Sequence, residues 1–184
     1  MSYLIQLTDY NSDISLGPNS GDVISQSLVF GKSFYLNKTY VRIGSRTIDE
    51  VFDVKIRIEL RRVYGEDKLL NLSDDPVLSS SWVNDESITE NEYNTFEFER
   101  ILLGSGTYFF SFVSNLRVRF PISFSLQKGG SFRGKFIKKE YGSGTYRTDR
   151  SLVLKVDGSW NNAPYPITVH ELNSYVTTTI QDGS

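Results

Sequence analysis

Hydrophobic and polar residues alternate with a period of two through most of the chain. Val54, Ile56, Ile58 and Leu60 alternate with Lys55, Arg57, Glu59 and Arg61, the pattern of an antiparallel strand with one face in a core. Leu116, Val118, Phe120, Ile122, Phe124 and Leu126 repeat it against Arg117, Arg119, Ser123, Ser125 and Gln127. Pro121 falls on the outward phase, where an edge or bulge tolerates it. Phe96 and Phe98 alternate with Thr95, Glu97 and Glu99, and Leu152, Leu154 and Val156 form a shorter set. Over 107–112 both phases are partly apolar, which suits a central strand. Residues 3–7, 23–30, 33–43, 165–171 and 175–180 are further strand candidates, rich in Val, Ile, Thr, Tyr and Phe.

No window carries a 3.6-residue apolar stripe. Roughly nine or ten strands without helical crossovers predict an all-β antiparallel sandwich or barrel. Long strands with unequal connections favour a two-sheet jelly roll with N- and C-terminal extensions. The division is an N-terminal arm or loop over 1–22, a β-sandwich over 23–160 and a C-terminal arm over 161–184. Turn-forming residues make 8–22 an irregular excursion, 64–92 a long acidic connection with one short edge strand, and 128–150 a basic, glycine-rich loop. Gly-Ser-Gly-Thr-Tyr occurs at 104–108, leading into a strand, and at 142–146, with no comparable strand behind it.

Composition narrows the chemistry. A chain of 184 residues, 39% hydrophobic, fills one core. The absence of cysteine excludes a disulfide framework, a thiol nucleophile and a Cys-based metal site, and the single histidine, His170, excludes a multi-His site. Adjacent acids such as Asp49-Glu50 point opposite ways on a strand, so they do not by themselves make an acid–base pair. The reading is a non-enzymatic protein without a cofactor; Asp74, Asp75, Asp85 and Glu86 leave a structural calcium open. The first residues lack the basic start and apolar run of an export signal, and no stretch is long enough to cross a bilayer. Synthesis in a cytoplasm is therefore expected, with no membrane partner.

Charge changes the picture further. The net charge is −2, which gives no general affinity for nucleic acid. Residues 1–100 hold 10 Lys/Arg against 17 Asp/Glu, and residues 101–184 hold 10 against 5. Asp85, Glu86, Glu90, Glu92, Glu97 and Glu99 crowd one stretch, while Lys128, Arg133, Lys135, Lys138, Lys139, Arg147 and Arg150 crowd another. Solvated loop faces and complementary surfaces on neighbouring copies both account for this layout. The interface candidates are Lys135, Lys138, Lys139, Arg147, Glu90, Glu92, Tyr165 and Tyr175. Aromatics outside the strongest strands admit a second use: Trp82, Tyr141, Tyr146 and Trp160 are candidates for a platform on which sugar rings stack.

Several segments in order bear a family likeness. Ile24-Ser25-Gln26-Ser27-Leu28, Tyr40-Val41-Arg42-Ile43, Val54 through Leu60, Tyr93-Asn94-Thr95-Phe96-Glu97-Phe98, Leu103 through Phe110, and Ser151 through Val156 together resemble a jelly-roll family. Its members are carbohydrate-binding-like domains and tailed-bacteriophage virion proteins. The resemblance spans about residues 24–158, with Tyr93 standing where the family has tryptophan. It implies a structural protein of a bacteriophage virion, a head decoration or tail component, working through contacts with other virion proteins and with copies of itself. The alternative it implies is a glycan-binding module for host-surface polysaccharide.

Overall fold

Two antiparallel sheets face each other across the alternating apolar positions, so the protein is an all-β sandwich. The computed structural model describes residues 3–15, 23–46, 54–64, 70–71, 73–115, 122–129, 135–140 and 143–162, with the side chains of 136–140 and 143–145 left aside. In chain order the strands are β1 (Tyr3–Leu7), β2 (Ser12–Ser15), β3 (Val23–Phe30), β4 (Phe34–Ser45), β5 (Lys55–Val63), β6 (Leu78–Ser79), β7 (Val83–Asn84), β8 (Glu92–Glu97), β9 (Leu102–Leu103), β10 (Gly106–Ser114), β11 (Ser123–Lys128), β12 (Phe136–Glu140), β13 (Ser143–Arg147), β14 (Arg150–Leu152) and β15 (Leu154–Trp160). The first sheet runs β1-β15-β4-β11-β14, with β8 and β9 also on β4 and β2 also on β11. The second runs β13-β12-β3-β10-β5-β6, with β7 also on β5.

The inward phase of each strand supplies the core. Ile24, Leu28 and Phe30 of β3, Ile56, Ile58 and Leu60 of β5, and Tyr108, Phe110 and Phe112 of β10 meet Phe34, Val41, Ile43, Phe96, Phe124 and Leu154 of the other sheet. Each such side chain contributes about 1.5–3 kcal/mol by leaving water. At one end Phe30 and Phe34 stack across the β3–β4 turn, ring centroids 3.9 Å apart. The doubly apolar β10 is central, as its sequence predicts. Its outward Phe109 lies in a small second cluster with Leu70, Val63 and Tyr146.

β4 carries the first sheet but does not alternate evenly. Phe34 and Leu36 point inward, as do Thr39, Val41 and Ile43, so the phase slips near Asn37. The partner register jumps at the same place: Asp157 faces Lys38, and Gly158 faces Leu36. This is a β-bulge, and it brings the backbones together so closely that a Cβ on Gly158 would lie 2.1 Å from the Tyr35 carbonyl oxygen.

Near Val153 the first sheet branches. β4 pairs with β15 over Phe34–Val41 and with β11 at Ile43 and Ser45, while the rest of β11 pairs with β14. All three pairings are antiparallel, which no flat ladder accommodates, so the strands diverge in three directions. The Arg42 amide donates to the Val153 carbonyl at 3.1 Å, and the Val153 amide donates to the Ser125 carbonyl at 3.0 Å.

Four expectations need correction. The excursion over 8–22 contains β2, because the free edge of β11 pairs with Ser12–Ser15 where local sequence offers little. The basic stretch 128–150 is not a loop throughout: β12 and β13 form a hairpin on β3, and the second Gly-Ser-Gly-Thr-Tyr copy falls largely in β13. The connection over 64–92 carries two short strands, β6 and β7, both on β5. The closing strand is split at Val153 by the branch. Residues 3–7, strand-like in sequence and assigned to the N-terminal arm, pair as β1 with β15. Residues 16–22, 116–121 and 163–184, which hold much of both arms, His170, Tyr165 and Tyr175, lie outside the described residues.

Candidate functional site

The segment from β6 to β8 stitches one side of the sandwich together. β6 and β7 bond to β5 of the second sheet, while the Ser81 amide donates to the Glu97 carbonyl of β8 in the first, at 2.9 Å. A 3₁₀ turn follows at Asp85–Ser87, then Ile88 plugs into the core. Asn91 takes a positive φ of 58° to start β8, a conformation asparagine tolerates better than most residues. The Asn94 amide fixes the returning chain, accepting from the Thr89 N–H at 2.7 Å and donating to the Thr89 carbonyl at 2.8 Å.

Between this segment and the outward face of β8 runs a groove of about 620 Å³, within the range of ~300–1,000 Å³ usual for small-molecule sites. Its lining includes Trp82, Asn84 and Ser87 from this segment and Tyr93, Thr95 and Glu97 from β8. Trp82 is 40% exposed. Its ring lies 4.5 Å from the Arg57 guanidinium, a cation–π contact. Arg57 is itself held by Glu59, whose Oε1 accepts from Nε at 3.0 Å and from Nη2 at 2.5 Å. Arg61 Nη2 donates to the other Glu59 oxygen at 2.7 Å. Burial alone would raise the Glu59 carboxyl, but hydrogen bonds and charge from Arg57 and Arg61 outweigh it and hold the group below its ordinary value.

On the outward face of the first sheet Lys155 reaches over β4, placing Nζ 4.2 Å from the Tyr93 ring centroid and 5.5 Å from that of Tyr3. Tyr3 in turn meets Tyr40 edge to face at 6.0 Å. Burial pushes the Tyr93 phenol up. At the groove's end Lys38 Nζ donates to Glu97 Oε1 at 2.7 Å, and this bond raises the lysine. The lining is thus aromatic and neutral-polar, with one self-compensated charge pair.

Of the sugar-platform candidates, only Trp82 lines this groove. Tyr146 belongs to the Phe109 cluster; its hydroxyl oxygen accepts the Leu70 amide at 2.8 Å. Trp160 packs edge-on against Phe30 and Phe34 beside the β3–β4 turn. Tyr141 lies outside the described residues. Sequence reasoning placed Tyr93 in a strand without giving it a site role, and passed over Arg57 and Lys155, whose positions depend on which strands flank β4 and β5.

The charged interface candidates separate cleanly. Glu90 and Glu92 are exposed at the start of β8, beside the β7 side of the sandwich. Lys138, Lys139 and Arg147 sit on the β12–β13 hairpin, at the opposite edge of the second sheet from β6 and β7, and Lys135 immediately precedes it. Arg147 and Arg150 share Asp149, so that trio carries a single net positive charge. Among the described residues no three His, Asp or Glu side chains gather into a metal-binding group. Asp74 accepts from the Asn71 amide at 2.8 Å, and Asp85 is buried.

Comparison with protein-family models, curated proteins and solved structures returns no match.

Proposed function

We propose that this protein is a non-enzymatic structural component of a virion that works through contacts with its own copies and with neighbouring virion proteins. The carrying observation is the separation of charge: acidic groups gather around β7 and β8 at one side of the sandwich, and basic groups sit on the β12–β13 hairpin at the far edge of the second sheet. Exposed Glu86, Glu90, Glu92 and Glu99 lie on the β7–β8 side, whereas the lysine-rich β12–β13 hairpin forms the far edge. Like edges repel, which disfavours symmetric edge-to-edge pairing; unlike edges attract, which favours a head-to-tail contact.

The jelly-roll reading belongs to the same proposal. It is supported by the way successive long strands alternate between sheets, from β3 through β4, β5, β8, β10, β11 and β12 to β15. Such wrapping leaves loops at both ends of the sandwich for further partners. The virion setting rests on the family likeness of residues 24–158.

Sedimentation velocity at low ionic strength tests the assembly. A species larger than the monomer is expected, dissociating near ~1 M salt, where the screening length falls to ~3 Å. A monomer under all salt conditions would overturn the head-to-tail contact. Immunogold labelling of lysate particles tests the setting, and particles without label would overturn it.

A further inference from the structure

We infer that the outer edge of β8 accepts an added strand from a second copy of this chain, supplied by its residues 172–181. Backbone groups along a strand alternate in direction. The Phe98 amide donates to the Asn37 carbonyl of β4 at 2.9 Å, whereas the Glu97 carbonyl faces away and accepts from the Ser81 amide at 2.9 Å. The β4–β8 register runs unbroken over Glu92–Glu97, so the N–H and C=O groups of Tyr93 and Thr95 also face away from β4. Beyond the Ser81 bond and the bridge between Ser80 and Phe98, no strand pairs with this edge among the described residues. The groove of about 620 Å³ lies along it. An open sheet edge beside a groove is the arrangement that strand addition uses.

The site takes a single strand. The segment beside β8 is tied to it by the Ser81–Glu97 bond and again by Thr89 and the Asn94 side chain, so the opening spans only the stretch around Tyr93 and Thr95. A hairpin such as β12–β13, which brings a second strand with it, is too broad for an opening tied at both ends. The chain supplies a narrower donor. It continues for 22 residues beyond the described Asn162, and residues 172–181 hold no charge and no proline, with Tyr175, Val176, Thr177, Thr178, Thr179 and Ile180 at their centre. An uncharged strand is not repelled by Glu90 and Glu92 nearby, and it meets a lining whose one carboxylate, Glu97, is paired with Lys38 at 2.7 Å. Alternation puts Val176 and Ile180 on one face and Tyr175 with two threonines on the other. The acceptor edge is divided the same way, with Phe96 buried inward and Tyr93 and Thr95 outward.

The donor is a neighbour's tail. β15 and β8 both run antiparallel to β4, so the chain leaves the sandwich toward the end of the groove that Ser81 closes. Trp160 pairs with Phe34 there, and β9 pairs with the same Phe34 from the other side. β4 and β9 therefore stand between a chain's own tail and its groove. So short a pairing is weak, with a Kd on the order of 1 mM. It fills where copies are held side by side, while dilute copies stay separate, and in this it rests on the reading that copies of the chain neighbour one another.

The chain has no cysteine, which makes disulfide trapping clean. Full-length Thr95→Cys protein is mixed with full-length Thr177→Cys or Thr178→Cys protein at about 1 mM, with oxidised glutathione as the oxidant. Salt is held at ~1 M, where the charge-driven contact is screened. The two tail positions point to opposite faces of a strand, so one of them comes beside Thr95. The expected result is a covalent mixed dimer whose yield, in the better pair, exceeds by about tenfold that of a control with Val29→Cys in place of Thr95→Cys. Val29 is exposed on β3. A yield no higher than the control overturns the inference. So does an intrachain disulfide in a chain carrying both Thr95→Cys and Thr177→Cys, without mixed dimer, because the tail would then fill its own groove. Sedimentation at low salt reads the charge contact and trapping at high salt reads the added strand, so failure of one is distinguishable from failure of the other.

Discussion

The Gln26 side chain crosses from the second sheet to the first: its Oε1 accepts the Leu152 amide at 3.1 Å inside a mostly apolar core. Its Nε2 donates to the Ser27 carbonyl at 3.2 Å, so the amide is engaged at both ends. β14 is only three residues long, and this bond satisfies one of its amides from across the sandwich. Gln26→Leu would keep most of the volume but leave the Leu152 N–H buried without a partner, at a cost of about 1–3 kcal/mol. Chemical denaturation checks this; a loss below ~0.5 kcal/mol would mean that water or a shifted β14 satisfies the amide.

The bulge on β4 makes a sharper demand. Gly158→Ala would set a methyl group 2.1 Å from the Tyr35 carbonyl oxygen, and backbone cannot yield as a side-chain tip does. A destabilisation of about 2–3 kcal/mol is expected. Gly31→Ala is the matched control, because its added methyl meets nothing within 4 Å and should move the melting temperature little.

Glu59 links stability to acid. Its folded-state ionisation lies below the ordinary value of 4.5, so its ionised form stabilises the fold. That contribution is complete above the unfolded value and disappears as the pH falls through the lower, folded one. Glu59→Gln should therefore flatten the part of the acid-denaturation profile lying below about pH 4.5. At neutral pH the variant should lose about 3 kcal/mol, since Arg57 and Arg61 keep their charges without the shared carboxylate. Melting curves across pH decide it; an unchanged acid limb would show that other carboxylates set it.

Head-to-tail contact predicts an asymmetric rescue. Lys138→Glu with Lys139→Glu gives a protein acidic on both edges, and Glu86→Lys with Glu90→Lys and Glu92→Lys gives one basic on both. Each should be monomeric alone, and an equal mixture should associate at low salt. Association of either variant by itself would point to a different surface.

The strands were legible where alternation met a single core face. β5 follows the period of two over 55–60 and β8 over 95–97, and the two apolar phases of β10 announced a central strand. β2 was not legible: Ser-Asp-Ile-Ser has little strand character, and the edge of β11 imposes the conformation. The β12–β13 hairpin was hidden because lysines and glycines, which read as loop, also serve on an exposed edge strand. At the groove, Trp82 was visible as an aromatic outside the regular strands. That it shares a groove with Tyr93 depends on β7 and β8 belonging to different sheets, which periodicity does not encode. The same holds for Lys155, which reaches Tyr93 because β15 and β8 flank β4.

The branch at Val153 predicts a late step in folding. Its hydrogen bonds join Arg42, Ser125 and Val153, which come from widely separated parts of the chain, and no pair of neighbouring strands completes it alone. The complete branch needs β4, β11 and the closing strand together, so its last hydrogen bonds are expected to form after the local hairpins. Refolding should accordingly be slow for a domain of this size, as non-local topologies are. Once tied, the branch opens only when three strands part together, and the amides of Arg42 and Val153 should then exchange with solvent only through global unfolding.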